Sequence, residues 1–194
     1  MQVTLHFDPT CPWTWMTSRW LVRAAEVEQL EVHWAPFSLA HLGDESHERE
    51  ATRVVQHLLA IDDAKGIAAF YDAYGDLAHR QGRRQTPALV EEAVRAAGLD
   101  DAAVAAAGDT SLDEAVDVAT DLAFASAGPD VGSPILHWTD DQGQDVWIFG
   151  PLFDHVPDAP CAAELWRGVR HLAVHDMFKE LKRGRRQPPD VASS

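Results

Sequence analysis

The stretch FDPTCPWTW, residues 7–15, holds the side chain best suited to chemistry, the thiol of Cys11. Pro12 and Trp13 follow it, and Thr14 stands where a second cysteine would complete a redox pair. A cysteine at a helix start faces unpaired N–H groups and the positive end of the helix dipole, which favour an anion. We therefore expect the pKa of Cys11 to be lowered, giving a nucleophilic thiolate. The competing interpretation is a small buried hydrophobic residue, the usual state of a free cysteine.

Two other features, Pro12-Trp13 and Gly132-Ser133-Pro134, could belong to a functional site or could have only a structural role. Pro12 could set the turn into the helix, and Trp13 could cover the sulfur, stack on a substrate or only pack. Gly132-Ser133-Pro134 opens a strand-like run, and a proline belongs at a strand start, a bulge or an edge because it cannot donate a ladder hydrogen bond. The peptide bond before Pro134 is either the common trans form or the rarer cis form.

The elements that must position Cys11 follow from hydrophobic periodicity. Residues 2–7 alternate and predict a strand, residues 11–28 predict a helix, and residues 31–37 predict a second strand. The apolar face of this helix consists of Met16, Trp20, Ala24 and Val27. A strand, a helix and a strand within so short a segment form a βαβ unit, so the two strands should be parallel.

Residues 44–128 are rich in alanine and charge and predict an all-helical insertion of several helices. Thr86-Pro87 predicts one helix start. Ser111 with Glu114 has the pattern of a capping box, opening another helix that ends near Ala127.

Strand character returns at residues 131–138 and 145–149, and the turn residues 140–143 between them predict an antiparallel hairpin. A last helix begins near residues 158–160, and the tail from Arg183 should be frayed. The expected apolar stripe of that helix consists of Leu165, Trp166, Val169, Leu172, Ala173, Met177 and Leu181. The order predicts an α/β fold, with a four-stranded mixed sheet and helices on both faces.

Composition excludes several classes of partner. The 194 residues carry a formal net charge of -15, which disfavours nucleic acid and anionic membranes. No apolar run approaches the roughly 18 residues of a membrane helix, and the N-terminus has no signal-peptide pattern, so we expect a cytoplasmic protein. His171 and His175 have metal-pair spacing but lack further ligands, so we predict no metal site. No fingerprint for a phosphate, NAD(P) or flavin appears, so we expect no tightly bound nucleotide.

Together these stretches resemble the DsbA-like branch of the thioredoxin superfamily, and most closely the mycothiol-dependent nitroreductase type of actinobacteria. The stretches are FDPTCPWTWMTSRW (7–20), YGDLAHRQGRR (74–84), DVGSPIL (130–136) and IFGPL, ELWRGVRHL and FKELKR within 148–182. The resemblance implies a thioredoxin-like domain of residues 1–43 and 129–194, with the helical insertion 44–128 covering the active site. It also implies a low-molecular-weight thiol, mycothiol, as cofactor.

The same resemblance assigns roles to individual residues. Cys11 would be the nucleophile, and Pro134 would be a cis-proline that faces it. The backbone of Ser133 would pair with a bound thiol in the manner of an added strand. Trp13 would line the site, and His79 matches a histidine that the family places near the thiol. On its own position, His79 would be a helix-surface residue.

Thr14 is the departure from the dithiol members, which have a cysteine there. Its hydroxyl could donate a hydrogen bond to the Cys11 thiolate. A monothiol site forms a mixed disulfide with a small thiol and needs a second molecule of that thiol for release. Cys161, at the start of the last helix, is expected to lie too far away to replace the missing partner.

Three hypotheses about function follow. The first is a thiol-dependent oxidoreductase that acts on disulfides or nitro compounds, with a small thiol and a small substrate as partners. The second is a thiol transferase or isomerase like the kappa-class glutathione transferases, in which serine usually replaces the cysteine. The third is a redox-silent binding module. The sequence is compatible with a monomer or a homodimer.

Overall fold

A mixed four-stranded sheet forms the centre of the protein, whose computed structural model describes residues 1–184 and 187–194. The strands are β1 (Gln2–Phe7), β2 (Glu31–Pro36), β3 (Ile135–Thr139) and β4 (Asp145–Phe149). Their order is β2-β1-β3-β4, with β1 parallel to β2 and β3 antiparallel to both β1 and β4. The predicted βαβ unit, hairpin and mixed sheet are therefore confirmed, although β3 begins later than predicted.

Seven α-helices accompany the sheet among the described residues. They are α1 (Pro12–Glu28), α2 (Glu50–Ala60), α3 (Ala64–Gly75), α4 (Pro87–Ala96), α5 (Asp101–Ala106), α6 (Asp113–Ala127) and α7 (Ala159–Ala173). A π-helical turn, Asp76–Arg80, continues α3. Helices α2 to α6 follow one another between β2 and β3, and the division into two domains stays a prediction. Within the described part of the chain, no helix combines the length and apolar character needed to span a membrane.

Side chains alternate between the two faces of the sheet, and each face packs against different helices. On one face, Trp138 of β3 meets Trp166 of α7 with ring centroids 5.3 Å apart, and Trp20 of α1 lies 6.2 Å from Trp166. On the other face, Ile135 packs with Ala123 of α6. The predicted helices on both faces are thus confirmed, and α1 packs against α7 on one of these faces.

Several local predictions are wrong, and solvent exposure gives the reason. Helix α7 ends at Ala173, so most of the expected stripe lies beyond it or faces solvent. The exposed members are Leu165, Leu172, Met177 and Leu181, and Val27 of α1 is exposed as well. The turn before α6 is capped by Asp109 rather than by Ser111, whose hydroxyl donates to the Asp109 carboxylate.

The chain beyond Arg183 was predicted to be frayed, yet its last described segment has specific contacts. The indole Nε1 of Trp15 donates to the Ser194 hydroxyl at 2.9 Å, and Asp190 N donates to Asp154 O. Pro189 is buried. The frayed-tail prediction is therefore wrong for residues 187–194, because this segment docks against α1 and the loop before α7.

His6 of β1 makes the fold sensitive to acid. The ring is buried, and neither of its nitrogens has a hydrogen-bond partner among the described residues. Burial, together with the nearby His137, lowers the pKa of His6 to about 4. An unfolded histidine titrates near 6.5, so between about pH 6.5 and 4 the unfolded chain binds the additional proton. The contribution of neutral His6 to stability is complete above this interval and is lost as the pH falls through it.

We predict that His6→Leu reduces the acid sensitivity of the fold. Between pH 7 and 4.5 the free energy of unfolding of the wild type should fall by roughly 2 kcal/mol more than that of the variant. Urea unfolding at both pH values measures this difference, with His155→Gln, at an exposed position, as the control. An equal fall in wild type and His6→Leu would show that His6 does not titrate as described.

Candidate functional site

The turn before α1 fixes the position of Cys11. Asp8 O accepts from Cys11 N at 3.2 Å, which closes a four-residue turn. Cys11 is the N-cap of α1, its backbone is extended, and its carbonyl accepts the first helical hydrogen bond from Trp15 N at 3.1 Å. Pro12 begins the helix, where its missing N–H costs nothing. The thiol therefore lies at the helix start, as the sequence predicted.

Asp8 connects this turn to two other segments. Its carboxylate Oδ1 accepts from Thr10 N at 2.9 Å and from the Thr10 hydroxyl at 2.5 Å, and Oδ2 accepts from Leu39 N at 2.8 Å. Its backbone N donates to the Ser133 hydroxyl at 2.9 Å. Asp8 is completely buried, and this burial raises the pKa of its carboxyl group. No local sequence pattern showed that Asp8 would be buried.

Ser133 brings the loop before β3 against the helix start. The Cys11 Sγ lies 4.0 Å from Ser133 O, which accepts from the thiol. The Ser133 hydroxyl lies 2.8 Å from the hydroxyl of Thr14. The peptide bond between Ser133 and Pro134 is cis. Four of the predicted site residues, Cys11, Thr14, Ser133 and Pro134, are thus adjacent in space although more than 100 residues separate the two segments.

The expected lowering of the Cys11 pKa is wrong. Burial raises the pKa of the thiol, since only 6% of the residue is exposed, and the negative charge of Asp8 raises it further. Hydrogen bonds from the Thr14 side chain and from the backbone N–H groups of Thr14 and Trp13 act in the opposite direction. The helix start does favour the thiolate, but the desolvation of the sulfur is larger. Position along the helix alone could not reveal this balance.

The other predicted site residues, Pro12, Trp13 and His79, lie around the turn that carries Cys11 and differ in how deeply they are buried. Pro12 and Trp13 are half-buried in the first turn of α1. His79 lies in the π-helical turn and is buried, so its description as a helix-surface residue is wrong. Its Nε2 donates to Pro9 O at 2.9 Å, and burial lowers the pKa of His79 to about 4. A neutral His79 therefore supports the turn that carries Cys11.

The second cysteine and the histidine pair lie on the surface. Both cysteines are free, and Cys161 is exposed at the start of α7, where its N donates to Asp158. The rings of His171 and His175 are in contact, with centroids 5.9 Å apart, and both residues are exposed. Within residues 1–184 and 187–194, no group of three or more His, Cys, Asp or Glu side chains could hold a metal ion.

A groove of about 470 Å³ opens beside Thr10, next to the cysteine turn. Its lining consists of Thr10, Ser46, His47, Glu48, Arg83, Arg84 and Gln85. The His47 Nδ1 lies 2.5 Å from the Thr10 hydroxyl, and the Gln85 amide donates to Thr10 O at 3.0 Å. The sequence did not predict this groove, because its walls come from the segments before α2 and before α4, which are distant in sequence from the cysteine turn.

The fold and the site define an α/β protein with one cysteine at a helix start, opposite a cis-proline loop. The family model described as Rv2466c-like, mycothiol-dependent nitroreductase Rv2466c, matches residues 10–183. The chain belongs to this Rv2466c-like family. It is also 28% identical over 204 residues to the uncharacterized protein Rv2286c of Mycobacterium tuberculosis (strain ATCC 25618 / H37Rv), with 97% of this chain and 84% of that protein covered.

We predict that Thr14→Val slows the alkylation of Cys11. The valine removes the hydroxyl that stabilises the thiolate and contacts Ser133, so the pKa of Cys11 should rise. A hydrogen bond to a charged group contributes about 1.5–3 kcal/mol, so the rate at neutral pH should fall roughly 10- to 100-fold. Iodoacetamide alkylation across pH, followed by intact mass, measures the change. Thr14→Ser keeps the hydroxyl and should react like wild type; equal rates for wild type and Thr14→Val would contradict this role.

Proposed function

We propose that the protein is a thiol-dependent oxidoreductase in which Cys11 is the nucleophile and mycothiol is the reducing thiol. The observation that carries this proposal is the arrangement of one thiol at the start of α1, a hydroxyl beside it on Thr14, and the Ser133 carbonyl 4.0 Å from the sulfur. The family description supports the thiol dependence and names a nitroreductase. The single-cysteine mechanism is our inference from Thr14.

The fold that we propose for this function is thioredoxin-like, of the DsbA-like kind, with the segment 44–128 as a helical insertion. This proposal is supported by the sheet order β2-β1-β3-β4 and by a cysteine at the start of the helix that follows β1. The cis peptide before Pro134, directly before β3, agrees with it. Pro12 and Trp13 would border the bound thiol, and His79 would support the turn beneath it.

The proposed cycle uses one protein sulfur and two molecules of small thiol. The Cys11 thiolate attacks a disulfide that contains the small thiol, an S–S bond forms to Cys11, and the other half leaves as a thiolate that takes a proton. A second molecule of the small thiol then attacks the sulfur that is bound to Cys11. That step releases a symmetric disulfide and restores Cys11. With a nitro compound as acceptor, two small thiols would lose two electrons and two protons in total and form their disulfide, while the nitro group would be reduced to a nitroso group and its oxygen would leave as water.

The residues around the sulfur would act at defined steps. The Thr14 hydroxyl would stabilise the thiolate both before attack and when Cys11 leaves the mixed disulfide. The backbone of Ser133, next to the cis peptide, would pair with the bound thiol as an added strand does. Burial keeps the free thiol largely protonated at neutral pH, so Cys11 must lose its proton as it reacts.

A thiol transferase or isomerase is the second candidate, and the raised pKa of Cys11 favours it. A protonated protein thiol is a weak nucleophile, whereas a bound small thiol could itself add to an electrophile. In that case the small thiol would be incorporated into the product instead of being oxidised. The stoichiometry of thiol consumption distinguishes the two reactions.

We predict that Cys11 forms a reversible mixed disulfide with mycothiol. Intact mass after treatment with mycothiol disulfide should show one adduct per chain in Cys161→Ser, and reduced mycothiol should remove it. Cys11→Ser should form no adduct that maps to the site and should lose at least about 100-fold in turnover of a nitro compound or disulfide. Cys161→Ser is the matched control, because that exposed thiol lies outside the site.

Other outcomes of the same experiment would favour the transferase or the redox-silent binding module. Unchanged turnover in Cys11→Ser would overturn the nucleophile assignment. Incorporation of mycothiol into the product would favour the transferase. Absence of both adduct and turnover in the folded wild type would leave a redox-silent binding module as the better description.

A further inference from the structure

A continuous chain of hydrogen-bonding groups links the buried carboxylate beside Cys11 to the surface groove. The Asp8 Oδ1 accepts from the Thr10 hydroxyl at 2.5 Å, and the Thr10 oxygen lies 2.5 Å from the His47 Nδ1. On the far side of the imidazole, Nε2 lies 3.6 Å from a carboxylate oxygen of Asp44. Asp8 is fully buried, whereas about 15% of the His47 side chain is exposed. This series of hydrogen-bonding groups therefore connects the buried Asp8 with solvent through the Thr10 hydroxyl.

Two proton arrangements satisfy every group in this chain. In the first, His47 donates its Nδ1–H to the Thr10 oxygen, and the Thr10 O–H donates to an Asp8 carboxylate. In the second, Asp8 is a carboxylic acid whose O–H donates to Thr10, the Thr10 O–H donates to the His47 Nδ1, and the His47 Nε2 carries a proton. The second arrangement contains one proton more, which the partly exposed imidazole takes up from solvent at Nε2. In the conversion, the Nδ1–H bond and the Thr10 O–H bond break, and bonds to hydrogen form at Nε2, at the Thr10 oxygen and at the Asp8 carboxyl oxygen.

The protonation state of Asp8 affects how readily the neighbouring Cys11 thiol ionises. The negative charge of Asp8 opposes ionisation of the Cys11 thiol, and a protonated Asp8 does not. Formation of the thiolate therefore favours the second arrangement, in which the carboxyl group is neutral. Groups that interact this closely exchange protons as a pair rather than independently.

We propose that Asp8, Thr10 and His47 form a proton relay in which a proton moves from His47 through the Thr10 hydroxyl to Asp8 when Cys11 ionises. The proton of the thiol itself leaves to solvent or to the leaving group of the substrate. His47 is thus a positioning residue, which acts on the reacting sulfur through Asp8. The inference rests on Cys11 as the nucleophile of the proposed function, but it does not depend on which small thiol or substrate reacts there.

Other ionisable groups surround the relay and remain in place in the variants below. Those that face Asp8 or the turn that follows it are Cys11, Tyr71, Tyr74 and His79. Those that face or border His47 are Asp44, Glu48, His79, Arg83 and Arg84. Arg83 is paired with Glu92, so its charge is already compensated.

The test is a double-mutant cycle on the reactivity of Cys11. Iodoacetamide alkylation of the full chain between pH 6 and 10, followed by intact mass, needs neither mycothiol nor substrate. At pH 7.5, His47→Gln and Thr10→Val should each react roughly threefold more slowly than wild type, because Asp8 then loses its proton more readily. Asp8→Asn should react faster than wild type. The double variant Asp8→Asn/His47→Gln should react like Asp8→Asn alone.

Controls separate a relay from a structural effect. Thr10→Ser keeps the hydroxyl and should react like wild type, and His175→Gln at an exposed position should do the same. If Thr10→Val does not fold, ¹⁵N resonances of the His47 ring give a second readout. Its Nδ1 should change from hydrogen-bond donor to acceptor when Cys11 ionises, and this change should be missing in Cys11→Ser.

Two results would overturn the relay. One is an alkylation profile of His47→Gln that equals that of wild type, and the other is an effect of His47→Gln that persists in the Asp8→Asn background. Neither result bears on the proposed function, which the mixed-disulfide experiment tests separately. Conversely, a relay can be present in a chain whose substrate assignment proves to be wrong, because the readout is the thiol alone.

Discussion

The burial of the Asp8 carboxylate is the constraint on which the rest of the site depends. A carboxyl group that is removed from water must be hydrogen-bonded to the protein, or its cost would oppose folding. The partners of Asp8 come from its own turn and from the segment after β2, and its backbone N–H holds Ser133. Three segments that are distant in sequence therefore meet at one residue. The position of Cys11 against the Ser133 loop is a consequence of this meeting.

The same burial sets the reactivity of the sulfur. The helix start, the Thr14 hydroxyl and the backbone N–H groups of the first turn stabilise a thiolate, whereas desolvation and the Asp8 charge oppose it. Desolvation and the Asp8 charge together outweigh the stabilising groups, so the resting site holds a thiol rather than a thiolate. A site of this kind limits unwanted oxidation of its cysteine, since oxidation follows thiolate character and exposure. The proposed relay would relieve the opposing charge of Asp8 when the thiol reacts.

The sequence predicted those parts of the molecule that arise from short-range patterns. Residues 2–7 alternate and residues 140–143 have turn chemistry, so β1 and the β3–β4 hairpin were found. Helix α7 was predicted too long, because Met177 and Leu181 continue its apolar period although no element covers them. The grouping of Cys11 with Ser133 came from the family resemblance rather than from spacing. The burial of Asp8 and the contact of His47 depend on long-range packing, for which one sequence gives no signal.

Thr14 affects both the geometry of the site and the chemistry that we propose for it. A cysteine at this position would give the sulfur an internal partner, and the hydroxyl instead gives it a hydrogen bond and holds the Ser133 side chain at 2.8 Å. Under the proposed function, the second sulfur must then come from a small thiol that enters from outside. The groove beside Thr10 borders the same turn, and His47 lies in its wall. A molecule that binds there would contact the outer end of the relay, so occupancy of the groove and the charge beside Cys11 would be linked through Thr10.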